Sequence, residues 1–357
     1  MTSNTTGVGF LGAGPVTQAI HLPTLARLGD TFHVASIMDV DSAVAESVAA
    51  RVGARWTTSV DELLGEDDVK VVVICSPHQF HASQVIAACR AGKEAVLCEK
   101  PFAMSRQEAE EIAAVAEETG VPIIVGAMHT FDPGWTAAKA NWDDLVATAH
   151  TIRYDVVLPP NPRFEDFATE VVNRPVGPQT AADRRDPEVA AAMVRGGIMG
   201  LAIHDLPLVR VFCPDFTDVE VLSCQVPPTG GYLVNLRVGD KAVRVTGHYT
   251  GSWEPEWVFE AIADDKSLRI DFTPSYVLAG SATAVLDFGP ERHVFGPYDQ
   301  SGYEAQWRFL AGVRAGDVQP LDVTELIHDL TFALEVADKA VESVRASAEN
   351  MKDEARA

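Results

Sequence analysis

The 357-residue chain carries 51 Asp and Glu against 28 Lys and Arg, a formal charge of −23, which disfavours attraction to nucleic acid or anionic lipid. Its 47% hydrophobic and 22% charged content is that of a folded protein long enough for two domains, and excludes disordered and collagen-like classes. No apolar run approaches the length of a membrane span, and the polar start Met1-Thr2-Ser3-Asn4 lacks the basic and apolar regions of a signal peptide, so a cytoplasmic protein is expected.

The first third alternates short β-rich runs with alanine-rich helical patterns, the signature of βαβ units and a parallel sheet. Strands are predicted over 7–11, 33–39, 69–75, 95–98 and 122–125, helices over 16–27, 42–52, 80–91 and 105–119, and a helical turn over 61–64. Gly92 and Gly120 fall just after two of these helices, where C-terminal caps belong. Cys75, Cys89, Cys98, Cys213 and Cys224 are odd in number and lack CxxC spacing, so buried reduced thiols are expected and neither disulfides nor a zinc site. Beyond Phe131 the pattern changes to long alternating runs, and 148–158, 219–225, 232–238, 242–249, 257–264, 267–272 and 284–288 read as strands. Gly239-Asp240 and Asp264-Asp265-Lys266 supply tight connections, so a large, mostly antiparallel sheet is expected with helices on one face. Two helices accompany it, over 190–212 and 323–344, the second with an apolar stripe through Leu326, Leu330, Leu334 and Ala337. The Pro- and Arg-rich segment 159–195 reads as an irregular loop over the site, and 351–357 as a charged, frayed tail. The fold class is therefore α/β, with a doubly wound parallel sheet over 1–130 and an α+β domain with an open sheet over 131–357.

Chemistry is concentrated at Glu99-Lys100-Pro101, straight after the apolar run Ala95-Val96-Leu97-Cys98. The triplet puts an ammonium group at the carboxyl end of a parallel strand, where open α/β sheets bind ligands. Pro101 has no N–H for a ladder, so the strand stops and Lys100 emerges into a crevice. On the triplet alone, ordinary solvated charges at a strand end are an equal alternative. Gly12-Ala13-Gly14-Pro15-Val16-Thr17 follows the first strand and opens the first helix. Gly12 suits the tight turn and Gly14 the close approach of a pyrophosphate to a helix N-terminus, although Thr17 replaces the third glycine of the fingerprint. Asp39 closes the second strand, where a carboxylate accepts from ribose hydroxyls and repels a 2′-phosphate, favouring NAD over NADP. Capping of the following helix is its alternative role, for which Asp41 and Ser42 are better placed. The Ser76-Pro77-His78-Gln79-Phe80-His81 stretch leaves the sheet at the same edge, so Ser76, Pro77 and His81 are further cofactor candidates.

These residues, with Gly92-Lys93, Phe131-Asp132-Pro133, and Gly196-Gly197 followed by His204, resemble the glucose-fructose oxidoreductase and inositol dehydrogenase family (Gfo/Idh/MocA) over nearly the whole chain. The resemblance implies an N-terminal NAD(P)-binding domain, a C-terminal domain whose open sheet makes dimer or tetramer contacts, and a sugar, inositol or polyol substrate between them. It implies cofactor contacts from Gly12, Gly14, Pro15, Val16, Asp39, Ser76, Pro77, His81, Glu99 and Lys100, and catalysis by Lys100 and His204. Oxidising an alcohol needs a base for the hydroxyl proton and a donor for the developing alkoxide; His204 suits the first and Lys100 the second, with the reverse assignment open. Two departures stand out. The family's aspartate four residues before the histidine is Gly200, and His129-Thr130 stands where a Tyr-Arg pair is expected. His129 is therefore assigned to the altered substrate site together with Lys100, His204 and Arg163, while Arg174, Arg184, Arg185 and Arg195 read mostly as solvated or ion-paired. Asp205, adjacent to His204, points about 100° away on a helix and is a poor substitute carboxylate. Two other functions remain compatible: a glycosidase-type enzyme that uses NAD for transient sugar oxidation, and an NAD-binding regulator weakened in catalysis by Gly200.

Overall fold

The computed structural model describes residues 5–174, 183–250 and 254–354. Strands β1 Thr6–Leu11, β2 Phe32–Met38, β3 Arg55–Thr57, β4 Val71–Ile74, β5 Ala95–Glu99 and β6 Ile123–Gly126 form an all-parallel sheet in the order β3-β2-β1-β4-β5-β6. Helices α1 Leu22–Arg27, α2 Ser42–Val52, α3 Val60–Gly65, α4 His81–Arg90 and α5 Arg106–Thr119 alternate with them. The first is entered through a π turn, Thr17–His21. Gly92 and Gly120 take left-handed φ values of 68° and 69° just past α4 and α5, ending those helices as their sequence positions require. Strand order reverses between β1 and β4, so the crevice for a ligand opens where the chain leaves Leu11 and Ile74.

The second unit contains α6 Pro133–Lys139, α7 Leu145–Thr148, β7 Thr151–Leu158, α8 Pro162–Ala168, α9 Pro187–Gly200, α10 Leu206–Phe212, β8 Val219–Gln225, β9 Tyr232–Val238 and β10 Lys241–Tyr249. It continues with β11 Glu256–Ile262, β12 Ser267–Asp271, β13 Thr283–Phe288, β14 Glu291–Phe295, α11 Gly302–Ala315 and α12 Val323–Glu354. Its eight strands are ordered β14-β13-β12-β11-β7-β10-β9-β8. Every pairing is antiparallel except β7 with β10. Along β7, Ile152, Tyr154, Val156 and Leu158 are buried on the inner face while the alternate residues face outward, as period-two alternation dictates.

Several expectations needed correction. The run 190–212 is not one helix: it divides into α9, a 3₁₀ turn Ala202–His204 and α10, because Pro207 has no N–H to return to the carbonyl of Ile203. The apolar stretches on either side of this break meet at 71°, and among the described residues no single helix is long and apolar enough to cross a membrane. The segment 159–195 holds α8 and the start of α9, and its residues 175–182 lie outside the described residues. The expected tail from 351 continues α12 to Glu354, with 355–357 also outside them. Helix α11 carries its own start and stop signals: the Ser301 hydroxyl accepts from the N–H of Glu304 as an N-cap, and Gly316 ends the helix at φ 80°. Its Trp307 and Leu310 pack into the apolar cluster of the parallel sheet with Phe10, Phe32, Val71 and Leu97. Burying Trp307, 1% exposed, stabilises this return of the chain by about 1.5–3 kcal/mol on the scale of a large apolar side chain.

Candidate functional site

At the carboxyl edge of the parallel sheet the glycine turn is held shut by its own backbone. Gly12 has φ +97°, and a Cβ there would lie 2.7 Å from the Cys75 carbonyl oxygen and the Ser76 nitrogen, so only glycine fits. A Cβ on Gly14 would meet nothing within 4 Å, which leaves the helix entrance open to a ligand. Thr17, in the third glycine's place, donates its hydroxyl to Gly12 O at 2.6 Å. Asp39 accepts from the N–H of Ala13 at 2.9 Å and of Asp41 at 3.0 Å. Asp41, not Asp39, caps α2.

A cleft of about 700 Å³ is lined by Gly12, Gly14, Pro15, Val16, Asp39, Ser76, Pro77, His81, Glu99 and Lys100. All ten residues assigned to the cofactor therefore share one cavity, and its open glycine turn, acidic rim and length of backbone suit a dinucleotide. His81 is buried, and its two ring nitrogens lie 2.7 Å from the carbonyls of Pro101 and Ser76, which pins the exits of β5 and β4 together.

Glu99 and Lys100 bring two adjacent charges inside the protein. The carboxylate of Glu99 takes a hydrogen bond from His21 Nε2 at 3.1 Å, and the indole of Trp307 donates to His21 Nδ1 at 3.2 Å. An indole only donates, so Nδ1 carries the lone pair and Nε2–H faces the carboxylate. Burial pushes the Glu99 carboxyl up, but His21 and the Lys100 charge outweigh it and hold the group below its ordinary range. Gly126 makes the room: a Cβ there would stand 2.7 Å from Glu99 Oε1. Lys100 donates to the carbonyl of Gly200 at 2.9 Å. Burial pushes its ammonium down, opposed by Glu99.

A second cavity, about 180 Å³, adjoins the cleft and is lined by Lys100, His204, Tyr249, Tyr276, Tyr303 and Asn161, among others. His204 stands in the 3₁₀ break between α9 and α10 with Nδ1 buried and no protein partner. Burial, followed by the charges of Lys100 and His129, pushes it well below its ordinary value. At neutral pH it is a free base.

Two of the residues assigned to the substrate do not line this cavity. His129 does not line this cavity: its Nδ1 bonds Asp205 Oδ1 at 2.6 Å, and its ring stacks on Phe272 with centroids 4.0 Å apart. Asp205 also accepts from Trp257 Nε1 at 2.7 Å, so it joins the end of the parallel sheet to β11 behind His204. Arg163 lies on α8, outside the lining set. Tyr249, Tyr276, Tyr303 and Asn161 were missed, since isolated tyrosines and asparagines on separate elements carry no spacing signal. At the position of the missing aspartate no side chain reaches the cavity, and the Gly200 main-chain carbonyl accepts the hydrogen bond from Lys100.

Residues 6–127 match the model of the oxidoreductase family with an NAD-binding Rossmann fold (Gfo/Idh/MocA). The chain is 30% identical over 240 residues to inositol 2-dehydrogenase 2 of Saccharopolyspora erythraea, covering 66% of each. It is 35% identical over 136 residues to inositol 2-dehydrogenase 3 of the same organism, spanning 38% of this chain and only 40% of that relative. The structure of KijD10, a 3-ketoreductase from Actinomadura kijaniata in complex with NADP and TDP-benzene, superposes with a TM-score of 0.70 over 94% of this chain and 98% of that one, at 18% identity. At that identity the likeness is one of fold.

A Cβ on Gly200 would meet nothing within 4 Å, so Gly200→Asp should fold with stability within about 0.5 kcal/mol of the parent. Its carboxylate would reach the cavity beside Lys100. A urea titration checks the first point, and a raised upper pH limb of dehydrogenase activity, from a stabilised ammonium, checks the second.

Proposed function

The chain belongs to the Gfo/Idh/MocA oxidoreductase family, and on that premise we propose that it oxidises or reduces a secondary alcohol or ketone of a sugar, inositol or related polyol, with NAD preferred over NADP. The observation that carries this reading is the position of Lys100. It is a wall shared by the cleft that suits a dinucleotide and by the small cavity containing His204. Bound in the cleft, the nicotinamide would supply the hydride acceptor. The protein's part is proton chemistry. His204, kept neutral by burial and the Lys100 charge, accepts the proton of the reacting hydroxyl, and the Lys100 ammonium exchanges the Gly200 carbonyl for the developing alkoxide. For the reverse reaction the same groups return the proton.

The cofactor preference rests on Asp39, whose carboxylate lines the cleft beside the glycine turn. The outer face of the eight-stranded sheet, with cross-strand pairs Arg153–Glu260 at 3.3 Å and Arg269–Glu260 at 3.0 Å, is the surface proposed for a second copy. Light scattering of the purified protein should give a dimer or tetramer; a monomer at micromolar concentration removes that part.

Absorbance at 340 nm with NAD and a polyol panel should report net NADH formation, abolished in Lys100→Ala while NAD affinity changes by less than about threefold. Cleavage of glycosides without net NADH would replace this reading by the glycosidase, and tight NAD binding with neither activity by the regulator. A base works only when deprotonated, so the acid limb of kcat/KM should lie below 6.5, the ordinary histidine value. A donor works only when protonated, so the alkaline limb should lie below 10.5, the ordinary lysine value. Activity that climbs steadily through the upper limb would make Lys100 the base. Asp39→Ala should cut discrimination against NADP by about tenfold, roughly the 1.4 kcal/mol of one like-charge contact; an unchanged ratio clears Asp39 of that role.

A further inference from the structure

The cleft that suits a dinucleotide is built almost wholly from the parallel-sheet unit. Among the described residues lining it, only Val172 and Asn173 come from the second unit. They lie in the chain that follows α8, and two side chains of the first unit hold this chain by its backbone. One is Gln18, which sits in the π turn before α1 and is 2% exposed. Its Oε1 accepts from the N–H of Val172 at 2.9 Å, and its Nε2 donates to the carbonyl of Val172 at 3.1 Å and to that of Ala13 in the glycine turn at 2.7 Å. One primary amide, with two donors and an acceptor, therefore satisfies both backbone groups of Val172 and ties them to the turn between β1 and α1.

The other is Arg51, exposed near the end of α2. Its guanidinium donates to the carbonyl of Glu170 at 2.6 Å and to Gln18 Oε1 at 3.3 Å. Beside these holds the Val172 side chain packs on the apolar cluster of the parallel sheet. Asn173 adopts φ +51°, a left-handed conformation that asparagine accepts more readily than most residues. Since a Cβ on Gly14 would meet nothing within 4 Å, the held chain stands off from the helix entrance and leaves space beside it. Residues 170–173 are thus a wall of the cleft next to the glycine turn, and the ties that keep it there cross from one unit to the other. Detaching it would leave the Gln18 amide and the backbone groups of Val172 without their partners, which resists opening.

We propose that Gln18 and Arg51 are positioning residues for the dinucleotide: they fasten residues 170–173 as a wall of its cleft, and release of the bound dinucleotide requires that wall to detach. Neither side chain lines the cleft, so each acts through the backbone it holds. The dwell time of the dinucleotide is then set by these ties as well as by its direct contacts. The proposal rests on the dinucleotide reading of the cleft given above.

Stopped-flow fluorescence of NADH or NADPH with the full-length protein tests it without knowledge of the substrate, association being followed on mixing and dissociation by a chase with excess oxidised dinucleotide. Gln18→Ala and Arg51→Ala should each raise the dissociation rate at least about threefold, with association no slower than in the parent. A rise below threefold in either folded variant overturns the proposal. So does a loss of affinity carried by slower association, which would mark Gln18 as a residue that only shapes the glycine turn. A parent that binds neither dinucleotide by calorimetry overturns the reading of the cleft itself and this proposal with it. Circular dichroism identifies the folded variants. Arg51 is exposed and its truncation leaves no cavity, so Arg51→Ala decides the matter even where Gln18→Ala does not fold.

Discussion

Two adjacent charges, Glu99 and Lys100, are taken out of water at the end of β5, and much of the surrounding arrangement serves to partner them. A buried charge without a partner costs several kcal/mol, so each draws in a group from elsewhere in the chain. Glu99 is met by His21, which Trp307 on α11 orients from behind, and by the space that Gly126 leaves. Lys100 is met by the carbonyl at the end of α9. These contacts come from opposite ends of the sequence, so partnering the two charges also ties α9 and α11 to the parallel sheet. The cavity between the two units is where it is because Lys100 is one of its walls.

The absent carboxylate at Gly200 changes the electrostatics of the pair formed by Lys100 and His204. A carbonyl oxygen accepts the lysine's hydrogen bond but supplies no full negative charge, and the Lys100 charge then bears on His204 with Glu99 opposing it. Burial and that charge act in the same direction on the imidazole. The result is a neutral imidazole and an ammonium lining one cavity, the pair of groups that the proposed alcohol oxidation requires. His129, which the sequence assigned to the substrate site, and Asp205, which it set aside as a substitute carboxylate, form the packed layer behind the site with Trp257 and Phe272.

The parallel sheet was legible almost strand by strand, because buried parallel strands are short apolar runs separated by alanine-rich helices and glycine caps. The strands that escaped are those without that signature: β3 is three residues long, and β14, Glu291–Phe295, is a largely exposed edge with charged residues. The alternation of the second unit identified β7 through β13 but not their order, since nothing local records that β10 lies parallel to β7. Helix periodicity alone also ran through Pro207, where proline chemistry decides against continuation.

The sequence by itself determined the fold class, the glycine turn with Asp39, and the emergence of Lys100 at the end of its strand. Each of these depends on local chemistry: apolar periodicity, a positive φ that only glycine accepts easily, and a proline that ends a ladder. Only the tertiary structure decided which side chains surround Lys100. It turned His129 away into a buried pair with Asp205, left Arg163 outside the cavity lining, set the Gly200 carbonyl against Lys100, and gathered Tyr249, Tyr276 and Tyr303 from three distant parts of the chain. Contacts of this kind arise from the packing of elements remote in the chain, and pairwise spacing along a sequence contains no record of them.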